Sequence, residues 1–387
     1  MKRSHLAALL LALPATVVPA AGAAAASGQD ASPQLISVER APDHKVIKGS
    51  YIITLKSGAA AKGLMNREDI SARHLYTNVF NGFSAKLSAD QLADLRRDPS
   101  VKAIEEDQKI TASATQNNPT WGLDRIDQRN RPLSGTYTYN RNGSGVSAYI
   151  IDTGIDTGHT DFGGRARNVY DALGGNGRDC NGHGTHVAGT VGSNTYGVAK
   201  GVSLYGVRVL GCDGSGSYSG IIAGFDWVRK NAVKPAVANA SLGGGYSSAV
   251  NSAAAALNNS GVFLSVAAGN SDDDACNYTP ASAPGVISVA ASDSSDRRAS
   301  FSNYGRCTDL FAPGVSITST RLGGGSTQMN GTSMASPHVA GVAALYKANK
   351  GDASSSTINN WLINNATTNV ISNTTGSPNR LLFTSGL

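Results

Sequence analysis

The chain has 387 residues, 40% hydrophobic and 16% charged, with a formal net charge of +6, enough to bury one large core and a small companion domain. All four glutamates, Glu39, Glu68, Glu105 and Glu106, precede position 107, which excludes a glutamate-dependent mechanism from everything that follows. From Ala114 onward 19 Lys plus Arg stand against 16 Asp with no basic run, which argues against a nucleic-acid surface.

Lys2 and Arg3 precede an apolar run over 6–13 that is too short to span a bilayer, and small residues follow as far as Ala26. This pattern predicts a secretory signal peptide over 1–26, and no later stretch is long enough for a membrane helix. Within 27–113, "YIITLKS" and "NVFNGFSAKL" alternate like strands and 58–74 reads as helix. "SADQLADLRR" opens with Ser88 and Gln91 at capping-box spacing, and "VKAIEE" closes as a strand. The order β-α-β-β-α-β predicts a small α+β ferredoxin-like unit. After the polar linker "TASATQNNPT", residues 114–387 are rich in Gly and Ala. The apolar runs in "GVSAYIIDTG", "LYGVRVLG", "AVANASLGGG" and "VFLSVAAGN" alternate with helices and predict an α/β fold with a doubly wound, mostly parallel sheet. In such sheets the working residues gather where strands give way to loops.

Asp152 follows the strand over 146–151, which makes it a better candidate than Asp156 in the repeat "IDTGIDTG". Two carboxylates four residues apart cannot form the dyad that aspartic proteases assemble from separate lobes. His183 and His186 stand three apart at a helix start, but the third ligand and glutamate base of a metalloprotease are missing. His186 faces the small Ala188 and Gly189 and reads as a core histidine, whereas His183, between Gly182 and Gly184, can reach outward. In "NGTSMASPHVAG", Ser333 falls in the first turn of a helix running towards Lys347, where free amides favour negative charge; Thr332 or Ser333 can equally cap that helix. Asn270, ending "AAGN", offers an amide donor to an oxyanion or a loop cap. Asp152, His183 and Ser333 supply the carboxylate, imidazole and hydroxyl of a triad. Their order differs from the Ser, Asp, His order of α/β-hydrolases.

All four cysteines lie after position 179, and secretion permits disulfides. Three pairings are open; proximity in the chain favours Cys180 with Cys212 and Cys276 with Cys307, and no C-x-x-C spacing supports metal ligation.

From about position 121 onward, "AYIIDTGI", "GHGTHVAGT", "SLGGG", "AAGN" and "GTSMASPHVAGVAALY" resemble the successive motifs of the subtilisin-like serine proteases. "WGLDRIDQR", "DCNGHGTH" and "SFSNYGRCTDLFAPG" narrow the resemblance to the proteinase K family, and the cysteine positions are similar to those of its aqualysin-like branch. The amino-terminal unit resembles the inhibitory propeptide of the same proteases.

The resemblance implies that Asp152 orients the imidazole, His183 is general base and then acid, Ser333 is the nucleophile, and Asn270 joins a backbone N–H in the oxyanion hole. It implies a pocket walled by Ser241, Leu242, Gly243, Ala267, Ala268 and Gly269, which carry no charge and suit an apolar or aromatic residue before the cut. It further implies structural Ca²⁺, held at one site by Pro284, Val286 and Asp309. The second site would be at Asp124, Asp127 and Gln128, with Ser134 and Thr136 as weaker neighbouring ligands. The expected protein is an extracellular monomer acting on proteins and peptides, without nucleic-acid or membrane partners. It is made as a zymogen with its own propeptide as intramolecular inhibitor, self-cleaved within 111–116, after Ser113. A secreted esterase would want a wide apolar lid, and a silent scaffold would be expected to have lost a triad member; the sequence shows neither.

Overall fold

The computed structural model describes residues 35–41, 46–108 and 114–387, so the expected signal peptide and the bond after Ser113 lie outside the described residues. The chain divides into two compact units, Met1–Ile110 and Thr111–Leu387.

The first unit contains β1 (Val38–Glu39), β2 (Val46–Leu55), α1 (Ala61–Arg67), β3 (Ala72–Tyr76), β4 (Gly82–Lys86), α2 (Ala89–Leu95) and β5 (Val101–Gln108), with sheet order β1-β5-β2-β4-β3. Both capping-box bonds are made, Gln91 N to Ser88 Oγ at 3.1 Å and Ser88 N to Gln91 Oε1 at 3.0 Å. Ile53, Leu64, Phe83, Leu95 and Ile104 form the buried centre. The expected helix over 58–74 is shorter: the chain leaves it at Glu68, Asp69 takes φ 49°, and Ala72–Tyr76 pairs with β4 instead. Asp tolerates that left-handed conformation, and the Gln91 amide donates to the Glu68 and Asp69 carbonyls, which satisfies the helix end. The short β1, parallel to β5, was not anticipated from the pattern.

The second unit opens with β6 (Ala114–Asn117), α3 (Trp121–Ile126) and β7 (Thr136–Tyr139), continuing to β8 (Ser147–Asp152), β9 (Ala166–Asp171), α4 (His183–Gly192), β10 (Ser203–Arg208) and α5 (Tyr218–Asn231). There follow β11 (Ala236–Ala240), β12 (Gly244–Gly245), α6 (Ser248–Asn259), β13 (Phe263–Ala267), β14 (Tyr278–Thr279), β15 (Ile287–Ser292) and β16 (Leu310–Pro313). Last come β17 (Ile317–Thr320), β18 (Ser326–Met329), α7 (Thr332–Lys350), α8 (Ser355–Asn365), β19 (Thr367–Thr368) and β20 (Arg380–Leu381). Nine strands form the large sheet, in the order β19-β20-β16-β15-β13-β11-β8-β10-β9, parallel except for the β19–β20 pair.

Both faces of this sheet are covered. Successive residues of a strand point to opposite faces: Ile150 joins Val187, Val191, Val339 and Leu345 from α4 and α7, while Ile151 joins Phe225, Val228 and Leu257 from α5 and α6. Two buried faces explain why these strands read as continuous apolar runs. The carboxyl ends of β8, β11 and β13 deliver Asp152, Ser241 and Asn270 to one edge.

Cys180 bonds Cys212 and Cys276 bonds Cys307, with Cα–Cα distances of 4.9 and 5.2 Å. The sequence separation of 31 between Cys276 and Cys307 gives a cross-link worth about 3 to 4 kcal/mol in the chain-entropy picture. The doubly substituted Cys276→Ser, Cys307→Ser protein is therefore expected to melt roughly 10 °C lower. Scanning calorimetry checks this, and an unchanged melting temperature would remove the cross-link from the stability account.

Candidate active site

Asp152 ends β8 with its side chain fully buried. Gly182, at φ 102°, turns the chain into α4, and the next glycine brings that helix close: a Cβ at Gly184 would lie 3.2 Å from Asp152 Oδ1. His183, the first residue of α4, thereby places Nδ1 2.7 Å from Asp152 Oδ1 while 25% of its side chain stays exposed. Nδ1 donates to the carboxylate, which leaves Nε2 as the accepting nitrogen. Thr153 N donates to the same Oδ1 at 2.7 Å, and Oδ2 is buried without a hydrogen-bond partner among the described residues. Burial pushes the imidazole pKa down, but the charge and hydrogen bond of Asp152, with the charge of Asp179 behind them, outweigh it and hold His183 above its ordinary 6.5.

Gly331 leads into α7 at φ 152°. Thr332 donates to Asn270 Oδ1 twice, from N at 2.8 Å and from Oγ1 at 2.9 Å, and its Oγ1 accepts from Gly269 N at 3.1 Å. The Asn270 amide is thus anchored by its oxygen, with Nδ2 left to donate elsewhere. Ser333 and Ser241 are tied reciprocally: Ser333 Oγ donates to the Ser241 carbonyl at 3.2 Å, and Ser241 Oγ donates to the Ser333 carbonyl at 2.7 Å. Deeper in α7, Ser336 Oγ donates to Asn239 Oδ1 at 2.7 Å.

Two adjoining cavities share Leu242 and Gly243. One, of about 420 Å³, holds His183, Asn181, Tyr218 and Ser241 on its walls. The other, of about 160 Å³, is walled by Ala267, Ala268 and Gly269, with Asn270 and Ser333 at its edge, and no charged residue lines it. Of the sequence-expected pocket residues, Ser241 therefore belongs to the larger space and the others to the smaller, with Leu242 and Gly243 in both. Sequence reasoning missed Tyr218, which is 40% exposed and whose hydroxyl donates to the Gly245 carbonyl at 2.8 Å; an aromatic residue directly after "GSGS" was the available signal. His186 lies in the core with Nε2 2.9 Å from the Ile317 carbonyl, and burial pushes its pKa down to about 4.

The residues expected to hold calcium offer hard oxygens, which that ion prefers. Asp309 is partly buried, and desolvation raises its pKa, while Oδ2 accepts from Ser288 N at 2.8 Å. Pro284 and Val286 flank Gly285, whose carbonyl is already taken by the Asn258 and Asn359 amides at 2.6 and 2.7 Å. Near α3, Asp127 Oδ1 is buried without a hydrogen-bond partner among the described residues. Burial, reinforced by the charge of Asp124, pushes the Asp127 pKa up to about 6. Asp124 accepts from Ser134 N and Gly135 N at 2.9 and 2.8 Å, and Gln128 Oε1 accepts from Ser134 N at 2.8 Å. An orphaned carboxylate oxygen beside a second carboxylate fits a cation, so the set at Asp124 and Asp127 suits Ca²⁺.

Fold and site together define a serine hydrolase built on a parallel α/β sheet. A profile described as the subtilase family matches residues 143–385, and one described as peptidase inhibitor I9 matches 50–113. An extracellular serine proteinase of Thermus sp. (strain Rt41A) is 48% identical over 414 residues, covering 99% of this chain and all of that one. A cuticle-degrading protease of Metarhizium anisopliae is 44% identical over 385 residues, covering 97% of each chain. The crystal structure of a cold adapted subtilisin-like serine proteinase superposes with a TM-score of 0.68 at 52% identity, covering 69% of this chain and 99% of that one. The chain belongs to the subtilase family: it is a subtilisin-like serine endopeptidase of the proteinase K kind, preceded by an I9 inhibitor unit.

The raised pKa of His183 has a defined sign in stability. Its contribution is full below the unfolded value near 6.5 and is lost as pH rises through the higher folded value. Asp152→Asn removes the charge that raises it, so in that variant the His183 ring is expected to titrate lower than in the parent, followed by NMR of its ring protons. Identical midpoints would detach Asp152 from the imidazole.

Proposed function

We propose that this chain is a secreted serine endopeptidase cutting after apolar or aromatic side chains, made as a zymogen of signal peptide (1–26), inhibitory propeptide (27–113) and protease (114–387). The observation that carries the reading is the 2.7 Å bond from His183 Nδ1 to Asp152 in a cleft continuous with Ser333 through Leu242 and Gly243. In this reading Ser333 Oγ turns from the Ser241 carbonyl, attacks the scissile carbonyl carbon and gives its proton to His183 Nε2, while Asp152 stabilises the imidazolium. The carbonyl oxygen becomes an oxyanion within reach of Asn270 Nδ2 and the Ser333 backbone N–H. As the C–N bond breaks, the imidazolium returns its proton to the leaving amine. Water then attacks the acyl ester, losing a proton to Nε2, and the Ser333 hydroxyl is regenerated.

The uncharged walls of the smaller cavity support an apolar or aromatic residue before the cut. Relationship to inhibitor I9 units supports an intramolecular inhibitor, which stabilises the folded protease as any native-state ligand does. Cleavage within 111–116, after Ser113, would leave the cut propeptide bound as an inhibitor until it is degraded. Ser333→Ala is expected to lower turnover of a chromogenic peptide by several orders of magnitude, roughly 10⁶-fold where a nucleophile acts as part of a unit. Its precursor should stay covalently joined when made without other proteases. A fluorophosphonate should modify Ser333 in the parent; near-normal turnover by the variant would sink the nucleophile assignment, and processing of the variant at the same bond would sink self-cleavage alone.

Structural calcium at Asp124, Asp127 and Gln128, and at Pro284, Val286 and Asp309, completes the proposal; there the ion neutralises buried carboxylates and ties loops, away from the chemistry. Without it, a folded pKa near 6 for Asp127 means that its ionisation costs stability as pH rises from about 4 to about 6. Asp127→Asn is expected to raise the melting temperature in chelator at pH 8 and to shrink the further rise that calcium gives the parent. A variant as calcium-responsive as the parent would remove Asp127 from the ligand set.

A further inference from the structure

Asp179 lies four residues before His183 and is only 3% exposed, yet among the described residues it forms no ion pair. Its carboxylate is satisfied by donors alone. Oδ1 accepts from Thr153 Oγ1, Asn181 N and Gly182 N, each at 2.9 Å, and Oδ2 accepts from Thr185 N at 3.0 Å and Thr185 Oγ1 at 2.5 Å. An ionised carboxylate survives burial only with this kind of compensation.

The position of those donors matters. Thr153 adjoins Asp152, and its Oγ1, while donating to Asp179, accepts from Gly184 N at 2.9 Å. Thr185 and Gly184 belong to the first turn of α4, the turn that opens with His183. One buried carboxylate thus joins the end of β8 to the start of α4, the two elements that carry Asp152 and His183. A second consequence is electrostatic. A helix amino-terminus bears partial positive charge and disfavours a cation beside it. His183 stands there and, in the reading above, must become cationic.

We propose that Asp179 is a positioning residue of the active site, fastening β8 to α4 through Thr153 and Thr185 and offsetting the positive end of α4 where His183 takes its proton. The inference rests on the protease reading for its kinetic consequence and on geometry alone for its structural one. The titratable groups acting on the His183 ring are Asp152 at the end of β8, Asp179 in the loop before α4, and His186 one turn along α4.

The two roles separate in two variants of the full chain. Asp179→Asn removes the charge, and Thr153→Val removes the hydroxyl link without altering charge. For Asp179→Asn, the His183 titration midpoint read by ring-proton NMR is expected to fall by about 0.5 to 1 unit. Its kcat per fluorophosphonate-titrated site should fall by about 10²-fold, as for a small misplacement of a reacting group, with KM nearly unchanged. Thr153→Val should lose kcat with the midpoint unmoved. An Asp179→Asn protein with parental midpoint and kcat, whatever its melting temperature, would reduce Asp179 to a helix cap and overturn the proposal. Parental kcat in Thr153→Val would overturn the fastening role even if the other variant failed to fold. The NMR midpoint needs no turnover, so absence of fluorophosphonate labelling at Ser333 would defeat the protease reading separately.

Discussion

The first turn of α4 lies so close to the Thr153–Gly154 backbone that a Cβ at position 184 would stand 2.2 Å from the Gly154 carbonyl oxygen. Only glycine permits that approach, and the geometry of the site follows from it. At this spacing the imidazole of His183 covers a carboxylate that has no exposure of its own, in surroundings where charges interact far more strongly than in water. A larger residue would push the helix outward, lengthen the 2.7 Å bond and admit water to Asp152. The cost of burying Asp152 is offset by the adjacent Thr153 N–H and by the His183 bond, and the second exists only while α4 is seated.

The other half of the cleft is held differently. α7 runs for 19 residues through the larger core cluster, and its first turns are fixed by polar contacts. Ser336 bonds Asn239 of β11 and shares a 2.9 Å contact with Ser265 of β13, while Ser241 and Ser333 exchange bonds at the helix start. Apolar packing alone would let a helix slide along the sheet with little penalty. Buried hydroxyl and amide pairs with a single satisfied arrangement remove that freedom, so Ser333 is set in register with two strands of the sheet.

Much of this was legible in the sequence because the strands carry their signal in composition. The runs ending at Asp152, Ala240 and Ala267 are apolar on both faces, and the glycines beside His183 and Ser333 mark where the chain turns. The amino-terminal helix was read too long because no glycine or proline over 69–74 marks its end: Asp69 takes the left-handed turn, and Ala72 and His74 pair with Ala85 and Ser84 of β4. Asp179 escaped notice because its partners are mainly backbone amides and two threonines, a network that spacing cannot reveal. Calcium ligands are obscure for a related reason: a carbonyl such as that of Pro284 belongs to every residue type, and only folding decides which carbonyls converge.

Each disulfide has one end near the cleft: Cys180 stands three residues before His183, and Cys276 stands two residues before Tyr278, which lines the smaller cavity. An endopeptidase is surrounded by copies of itself, and a segment becomes a substrate only when it can be drawn out as an extended strand into another molecule's cleft. A loop pinned at both ends to the folded body resists that extraction, because several residues of slack must come from packed strands. A nick inside either loop would leave its ends covalently joined to the rest of the molecule. The cross-links therefore act on survival in a concentrated solution of the enzyme, setting a rate of self-digestion as well as a free energy of folding.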